Sequence, residues 1–381
     1  MWEGIESREA RGLLLGLSFA WALVSGCGGA SSPELDGPQG PSSPALDSSA
    51  EGSRGPVDTG GKPAAEPSSP APQSHERAYD DLRVVAPTKA PGLAPVRMAA
   101  NGLYPGKVSI DDGGVDELCS DEPGAELAIG SEMDLLRTSA DPRCSNLRVL
   151  FTVCEGVYRI VAKRSSGIQS VEDLADKHVM VPHGSSSHYF LTQIAAEAEL
   201  ELGDGPGQIH VVDGTPDGHA FGTEEPPDAV AIWEPGAQLA ADALGEDAVS
   251  LQLDGQGYQV YRELFNLHAT VETLENPDKR RAIVRFVRAL ADASLVLQKD
   301  PSAAFPLLTG PAGVSEAVLT KSFAYQRFAG TLVGDVSAIL GIEESWLALV
   351  EGREPRPPEQ LWSLVDSAIY LAALWPEQTR E

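Results

Sequence analysis

Residues 177–200 read KHVMVPHGSSSHYFLTQIAAEAEL. The apolar run Val179–Val181 is short, valine-rich and closed by Pro182, which suits a buried strand that stops at a proline. Three residues later a serine run leads into apolar residues at helical spacing, so a capped helix is expected to start there. Strand, tight turn and capped helix in succession form the unit from which parallel α/β sheets are built. The first N–H groups of a helix have no partner within it. The join is therefore also a place where an anion can be held.

The pattern repeats on both sides. VRMAA (96–100), KVSIDD (107–112), AELAIGS (125–131), NLRVLFTVC (146–154) and YRIVAKRSS (158–166) read as strands, with EMDLLRTSA (132–140) helical between them. GQIHVVDG (207–214) and DAVAIW (228–233) read as further strands. The second runs into a helix with Pro235 at its first position. AVSLQL (248–253) and ELFNLHATVETL (263–274) follow as strands, and beyond Asn276 the spacing is helical to the end. Strands alternating with short helices, in two groups, predict an α/β chain of two lobes with a helical C-terminus. In such sheets ligands sit off the carboxyl ends of the strands.

The chain has 381 residues and a formal net charge of −28. That balance excludes a nucleic-acid backbone as partner, because phosphates require clustered Lys and Arg. The nearest cluster, Lys279-Arg280-Arg281, falls on a predicted helix and reads as a solvated face.

At the N-terminus Arg8 and Arg11 precede an apolar run, Leu13–Val24, which is short for a bilayer span but suits a signal peptide. Glu3, Glu6 and Glu9 depart from the usual positive start. Val24-Ser25-Gly26-Cys27 resembles the lipobox of bacterial lipoproteins, which makes Cys27 the expected lipidation site. The alternative is an ordinary secretory signal. Residues 28–92 are rich in Pro, Ser and Gly and are expected to form an unfolded, extended tether. Export permits disulfides. Cys119, Cys144 and Cys154 are odd in number, so at least one is unpaired within the chain; Cys119 with Cys144 is one candidate pair.

RIVAKRSSGIQSVEDLADKHVMVPHGSSSHYFL (159–191), followed by DAVAIWEP (228–235), resembles the substrate-binding proteins of ABC transporters for nitrate, aliphatic sulfonates and taurine. AELAIGSEMDLLR and NPDKRRAIVRFVRALADASLVLQKDPSAAFPLL fit the same family. The resemblance covers nearly everything after about Val96. It implies a two-lobed type II periplasmic-binding-protein-like fold over 93–381, with lobe one at about 93–164 and 258–381 and lobe two at about 165–257. It further implies capture of a small anion or zwitterion, delivery to an ABC permease, no cofactor, no catalysis, and a monomer held at the membrane by its lipid anchor. One departure stands out. Between the strands expected at 96–100 and 107–112 lies only NGLYPG, a turn where the family has a helix, so lobe one is expected to be shortened.

The candidate ligand-binding residues follow from these joins. Ser185, Ser186 and Ser187 stand at a helix start, where either anion binding or simple capping accounts for them. His188 and Tyr189 follow on the first turn, Tyr189 as a cleft wall or a core side chain. Trp233 is placed to floor a pocket. Glu234 is placed to accept from an amino group on the ligand, or to satisfy its own helix start. Gly130, Ser131 and Glu132 repeat the strand-to-helix logic in lobe one, and Gly113 and Gly114 sit similarly after the strand before them, 107–112. Facing helix starts are expected to clamp one anionic group. Glu155, Gly156 and Tyr158 are expected at the hinge. His183 and His188 lack a third partner, so no metal is expected. Neither a G-x-S-x-G elbow nor a P-loop is present. The alternatives to transport are a sensor or envelope interaction module on a degenerate version of this fold, and an exported enzyme on the same fold.

Replacing Cys27 with serine should move the protein from the membrane to the soluble fraction. Unchanged sedimentation with membranes would remove the lipobox reading.

Overall fold

The first strand, β1, is Leu82–Ala86, inside the stretch read from sequence as tether. The computed structural model describes residues 81–121, 123–215, 219–251 and 260–375. The signal segment and Cys27 lie outside the described residues. After β1 come α1 (Ala94–Met98), β2 (Val108–Asp112), β3 (Leu127–Gly130), α2 (Glu132–Thr138), β4 (Leu147–Gly156), β5 (Arg159–Lys163), β6 (His178–Val181) and α3 (Ser186–Glu197). Then follow β7 (His210–Asp213), β8 (Ala229–Ile232), α4 (Gly236–Leu244), β9 (Ala248–Leu251) and β10 (Glu263–Thr270). The remainder is mostly helical: α5 (Val271–Glu275), α6 (Pro277–Lys299), α7 (Phe305–Ala312), α8 (Glu316–Ser322), β11 (Gln326–Arg327), α9 (Val336–Glu351), α10 (Pro358–Trp362) and α11 (Ser367–Leu374).

These spans correct the expectation of a shortened lobe one. The residues read as the first strand, VRMAA, are helical and continue into a wide turn, Ala99–Leu103. Pro91 and Pro95 stand at helix starts, where a missing N–H costs nothing. The crossover from β1 to β2 is therefore 87–107, long enough for a parallel connection, and the helix is present. Tyr104, read as part of a turn, is buried and meets Phe286 of α6 edge to face at 5.5 Å.

Two sheets result. The first has the order β11-β4-β10-β3-β1-β2, with β1 parallel to β2 and β3, and β10 antiparallel to β3 and β4. Its inner strands carry Val84, Leu127, Ile129, Phe151 and Leu267, all buried under α6 and its neighbours. The second has the order β7-β6-β8-β5-β9, with β6 parallel to β7 and β8. In it β5 runs antiparallel between β8 and β9. This corrects a second boundary: the strand at 159–163 belongs to the second sheet, and the chain crosses between sheets at residues 156–159. It crosses back between β9 and β10; residues 252–259 lie outside the described residues. No helix among the described residues is long and apolar enough to cross a membrane.

Cys119 and Cys144 form a disulfide that ties the turn after β2 to the turn before β4, with Cα atoms 5.4 Å apart. Cys154 is a buried free thiol.

Two adjacent acids on α9 show how placement decides charge. Glu344 is buried, which pushes its carboxyl up, but hydrogen bonds from Arg353 and Arg356 outweigh that and leave it at about 2. Glu343 is equally buried and meets a second acid, donating to Glu132 at the start of α2. Burial raises Glu343, and Glu132 beside it raises it further. Burial pushes Glu132 up to about 7, against the pull of hydrogen bonds from Glu343, the Leu264 N–H and Tyr261. The folded pair thus holds a proton that the unfolded carboxylates release above about 4.3. Where the folded state binds more protons, stability falls as pH rises. The melting temperature should therefore decline as pH rises from about 4.3, through the Glu132 value of about 7 and on past it, because Glu343 is also held well above the ordinary carboxylate range. Glu343→Gln supplies a permanent donor and should flatten that decline. An unchanged pH profile in the variant would rule out the pair as its source.

Candidate functional site

The strand-to-helix join of residues 181–186 opens into a cleft of about 280 Å³ between the two sheets. The second sheet contributes Tyr158, Ser185, Ser186, Trp233 and Glu234. The first contributes Lys89, Ser131, Asp134, Arg137, Glu263 and Phe265.

Ser185 is the N-cap of α3, its hydroxyl accepting from the His188 N–H at 3.4 Å and donating to the Pro182 carbonyl at 2.6 Å. Gly184 turns the chain with φ +69°, a left-handed conformation that favours glycine. The first turn of α3 holds no acid, so the N–H groups of Ser186 and Ser187 are left free by the helical ladder. Successive helical residues are rotated by roughly 100°. Ser185 and Ser186 therefore face the cleft, whereas Ser187, His188 and Tyr189 turn into the core and do not line it. His188 accepts from the Gly184 N–H through Nδ1 at 3.1 Å, lies tilted against His183 and meets Trp346 edge to face. Burial lowers its imidazole to about 4. Tyr189 packs edge to face on Tyr261 and Trp346.

Glu234 lines the cleft, but its carboxylate is already occupied. Arg159 reaches it through Nε at 2.7 Å and a terminal nitrogen at 2.6 Å, and Ser322 donates to it at 2.9 Å. Burial pushes this carboxyl up, and Arg159 pulls it back. Arg159 also reaches Gln238 at 3.2 Å and lies over the Tyr325 ring at 4.1 Å. Both members of the pair are almost fully buried. The expectation that Glu234 waits for a ligand amine is corrected: its cation is Arg159, brought from another strand.

The expected clamp of facing helix starts is also corrected. In lobe one Ser131 and Asp134 form a reciprocal capping box, at 3.0 and 3.1 Å, so the start of α2 is filled by its own acid. Gly130 packs on Val115, where an added Cβ would come within 2.4 Å of a methyl. Glu132 points away to Glu343 and Tyr261. The Gly113 N–H bonds the Ala86 carbonyl, and neither Gly113 nor Gly114 lines the cleft.

Several lining residues escaped the sequence reading. Lys89 and Gly92 follow β1 in the proline-rich stretch assigned to the tether; the run Leu82-Arg83-Val84-Val85-Ala86 before them was the available signal. Tyr158 was expected only at the hinge. Its hydroxyl donates to Glu263 at 2.5 Å and lies 2.9 Å from the Ser186 hydroxyl. Asp134, Arg137, Glu263 and Phe265 carried no local signal. Among the described residues no group of three or more His, Cys, Asp or Glu is arranged to hold a metal.

No family model matches the sequence, and no curated protein does. Solved structures match over nearly their whole length. The alkanesulfonate-binding protein SsuA of Xanthomonas axonopodis pv. citri, bound to MOPS, superposes with a TM-score of 0.56 at 18% identity, covering 76% of this chain and 99% of that one. The aliphatic sulphonate-binding protein SsuA of Escherichia coli gives 0.57 at 18%, covering 74% and 91%. A ligand-binding component of an ABC-type import system from Staphylococcus aureus gives 0.60 at 15%, covering 77% and 99%. The desulfurization enzyme DSZB also superposes, at 0.51. A Candida albicans protein with the generic periplasmic-binding-protein fold matches at 0.54. The chain has the two-lobed periplasmic-binding-protein fold shared by these sulfonate-binding and ABC-import proteins.

Proposed function

We propose that the chain is an extracytoplasmic solute-binding protein that captures a small anion or zwitterion, of the sulfonate class, for an ABC importer. The observation that carries this reading is the start of α3. Its Ser186 N–H and hydroxyl open into a cleft that also holds the cations Lys89 and Arg137. Trp233, Met133 and Phe265 supply apolar wall for an organic tail. Among the proteins that share the fold are alkanesulfonate-binding proteins and a component of an ABC-type import system, which supports the same class. The lipid anchor at Cys27, the permease partner and a monomeric state belong to this proposal. The complete β1–α1–β2 unit removes the reason for treating lobe one as degenerate.

A desulfurization enzyme shares the fold, and Cys154 lines the cleft, so a thiol-based reaction is the competing idea. Burial pushes the Cys154 thiol well above its usual range, and it donates to Gln326 at 2.8 Å. A nucleophilic cysteine needs the thiolate, so these contacts favour binding over catalysis.

A thermal-shift screen with ethanesulfonate, taurine, nitrate and small carboxylates tests the class. At a hundredfold excess over Kd a ligand stabilises by about 2.7 kcal/mol, which raises the melting temperature by several degrees. No shift with any of them would sink the reading.

Ser186→Pro separates site from scaffold. Position 186 is the first of α3, and Ser185 has φ −89° and ψ 172°, which a following proline accepts. The variant should fold, with its melting temperature lowered by about 2–4 °C for the lost Ser186–Tyr158 hydrogen bond, and should lose the ligand-induced shift because the N–H and hydroxyl are both gone.

A further inference from the structure

The cleft's anion pole has an acid beside it. Glu263 opens β10, where the chain returns to the first sheet, and its side chain is half-buried in the cleft wall. Its Oε1 lies 2.5 Å from the Tyr158 hydroxyl and 3.4 Å from the Ser186 hydroxyl. A carboxylate there would repel the solute that the start of α3 attracts; a carboxylic acid would offer it another donor.

The surrounding charges favour the acid. Immediately before β10, Arg262 is committed to Glu155 and Asp335. From β5, Arg159 is committed to Glu234. From α2, Glu132 and Asp134 add negative potential, and Glu343 of α9 stands behind Glu132. Lys89 and Arg137 line the same cleft, and Arg137 is half-exposed and 3.8 Å from Glu351. Burial and the Glu132 carboxyl push Glu263 up to about 8, against hydrogen bonds from Tyr158 and Ser186.

We infer that anion capture in this cleft is proton-linked: the solute binds beside Ser185 and Ser186 together with one proton held on the Glu263 carboxyl. This rests on the solute-binding reading above and adds what that reading lacks, a discriminating residue. The neutral acid donates to an oxygen of the bound head group, and the negative head group in turn favours the neutral acid. No covalent step is involved; below about pH 8 the acid already carries its proton, and above it one proton is taken from solvent on binding and returned on release. The site would thus prefer a permanently ionised monoanion, such as a sulfonate, which cannot itself accept the proton at neutral pH.

Ethanesulfonate is the probe, since its own charge is constant across the range. Calorimetric titration of the full chain from pH 6 to 10, in buffers of different ionisation heat, reads affinity and protons together. Kd should be flat below about pH 8 with no proton uptake, and above it weaken by up to about tenfold per unit with uptake approaching one proton. Glu263→Gln should remove the slope and the proton uptake at whatever affinity it retains. A slope that persists in Glu263→Gln, or a wild-type affinity independent of pH, overturns the inference while leaving solute binding intact. Absence of ethanesulfonate binding at every pH overturns the sulfonate-binding reading, and this inference with it. Should Glu263→Gln fail to fold, infrared difference spectra of the wild-type protein decide the matter. Ligand addition at pH 9 should increase the protonated-carboxyl band, and no increase counts against the inference.

Discussion

The antiparallel pairing of β4 with β10 is the contact on which the cleft depends. It runs from Leu147 opposite Thr270 to Gly156 opposite Glu263, and both passages between the sheets leave from its far end. Gly156 is followed by Val157 and Tyr158 on the way to β5, while Glu263 is the first residue of β10 on the way back. The last rung of one ladder therefore sets an outgoing tyrosine beside an incoming glutamate. Neither residue needs a loop of its own to reach the cleft. The pairing is almost wholly buried, through Phe151, Val153, Leu264 and Leu267, so the geometry at its end is held by apolar packing.

Around that frame polar groups are sorted by the partners that long-range pairing brings to them. Arg159 is opposite Ile232 in the β5–β8 register, two residues short of Glu234, which is why the two meet across buried backbone. Glu343 and Glu344 are neighbours in sequence, yet one faces Glu132 and the other faces two arginines. A buried charge with a partner stays charged, and one facing its like holds a proton.

This explains what was legible in the sequence. The β6–α3 join was readable because its signals are local: a valine run, Pro182, Gly184 and the capping serine within a few residues. The α/β class was readable from the alternation of strands and helices. The first strand was not, because Leu82–Ala86 runs straight into Pro87, Pro91 and Pro95, which share the composition of the tether; the first helix was lost with it, and lobe one looked shorter than it is. The site was half-readable. Ser185, Ser186, Ser131, Trp233 and Glu234 line the cleft as the joins suggested. Glu263, Lys89 and Arg137 reach it only through sheet order, which no local pattern encodes. Glu234 lines the cleft, but its partner could not be read locally, since its cation lies 75 positions away.

The capping box of Ser131 and Asp134 has a consequence for how a solute would travel. With the helix start in the first lobe closed by its own acid, the backbone donors for a head group come from one side of the cleft only. A bound anion would face the second lobe head first, with its tail against Met133 and Phe265. If the lobes parted, the backbone donor would stay with the second lobe while the Glu263 carboxyl left with the first, so opening would strip the head group of one kind of donor before the other.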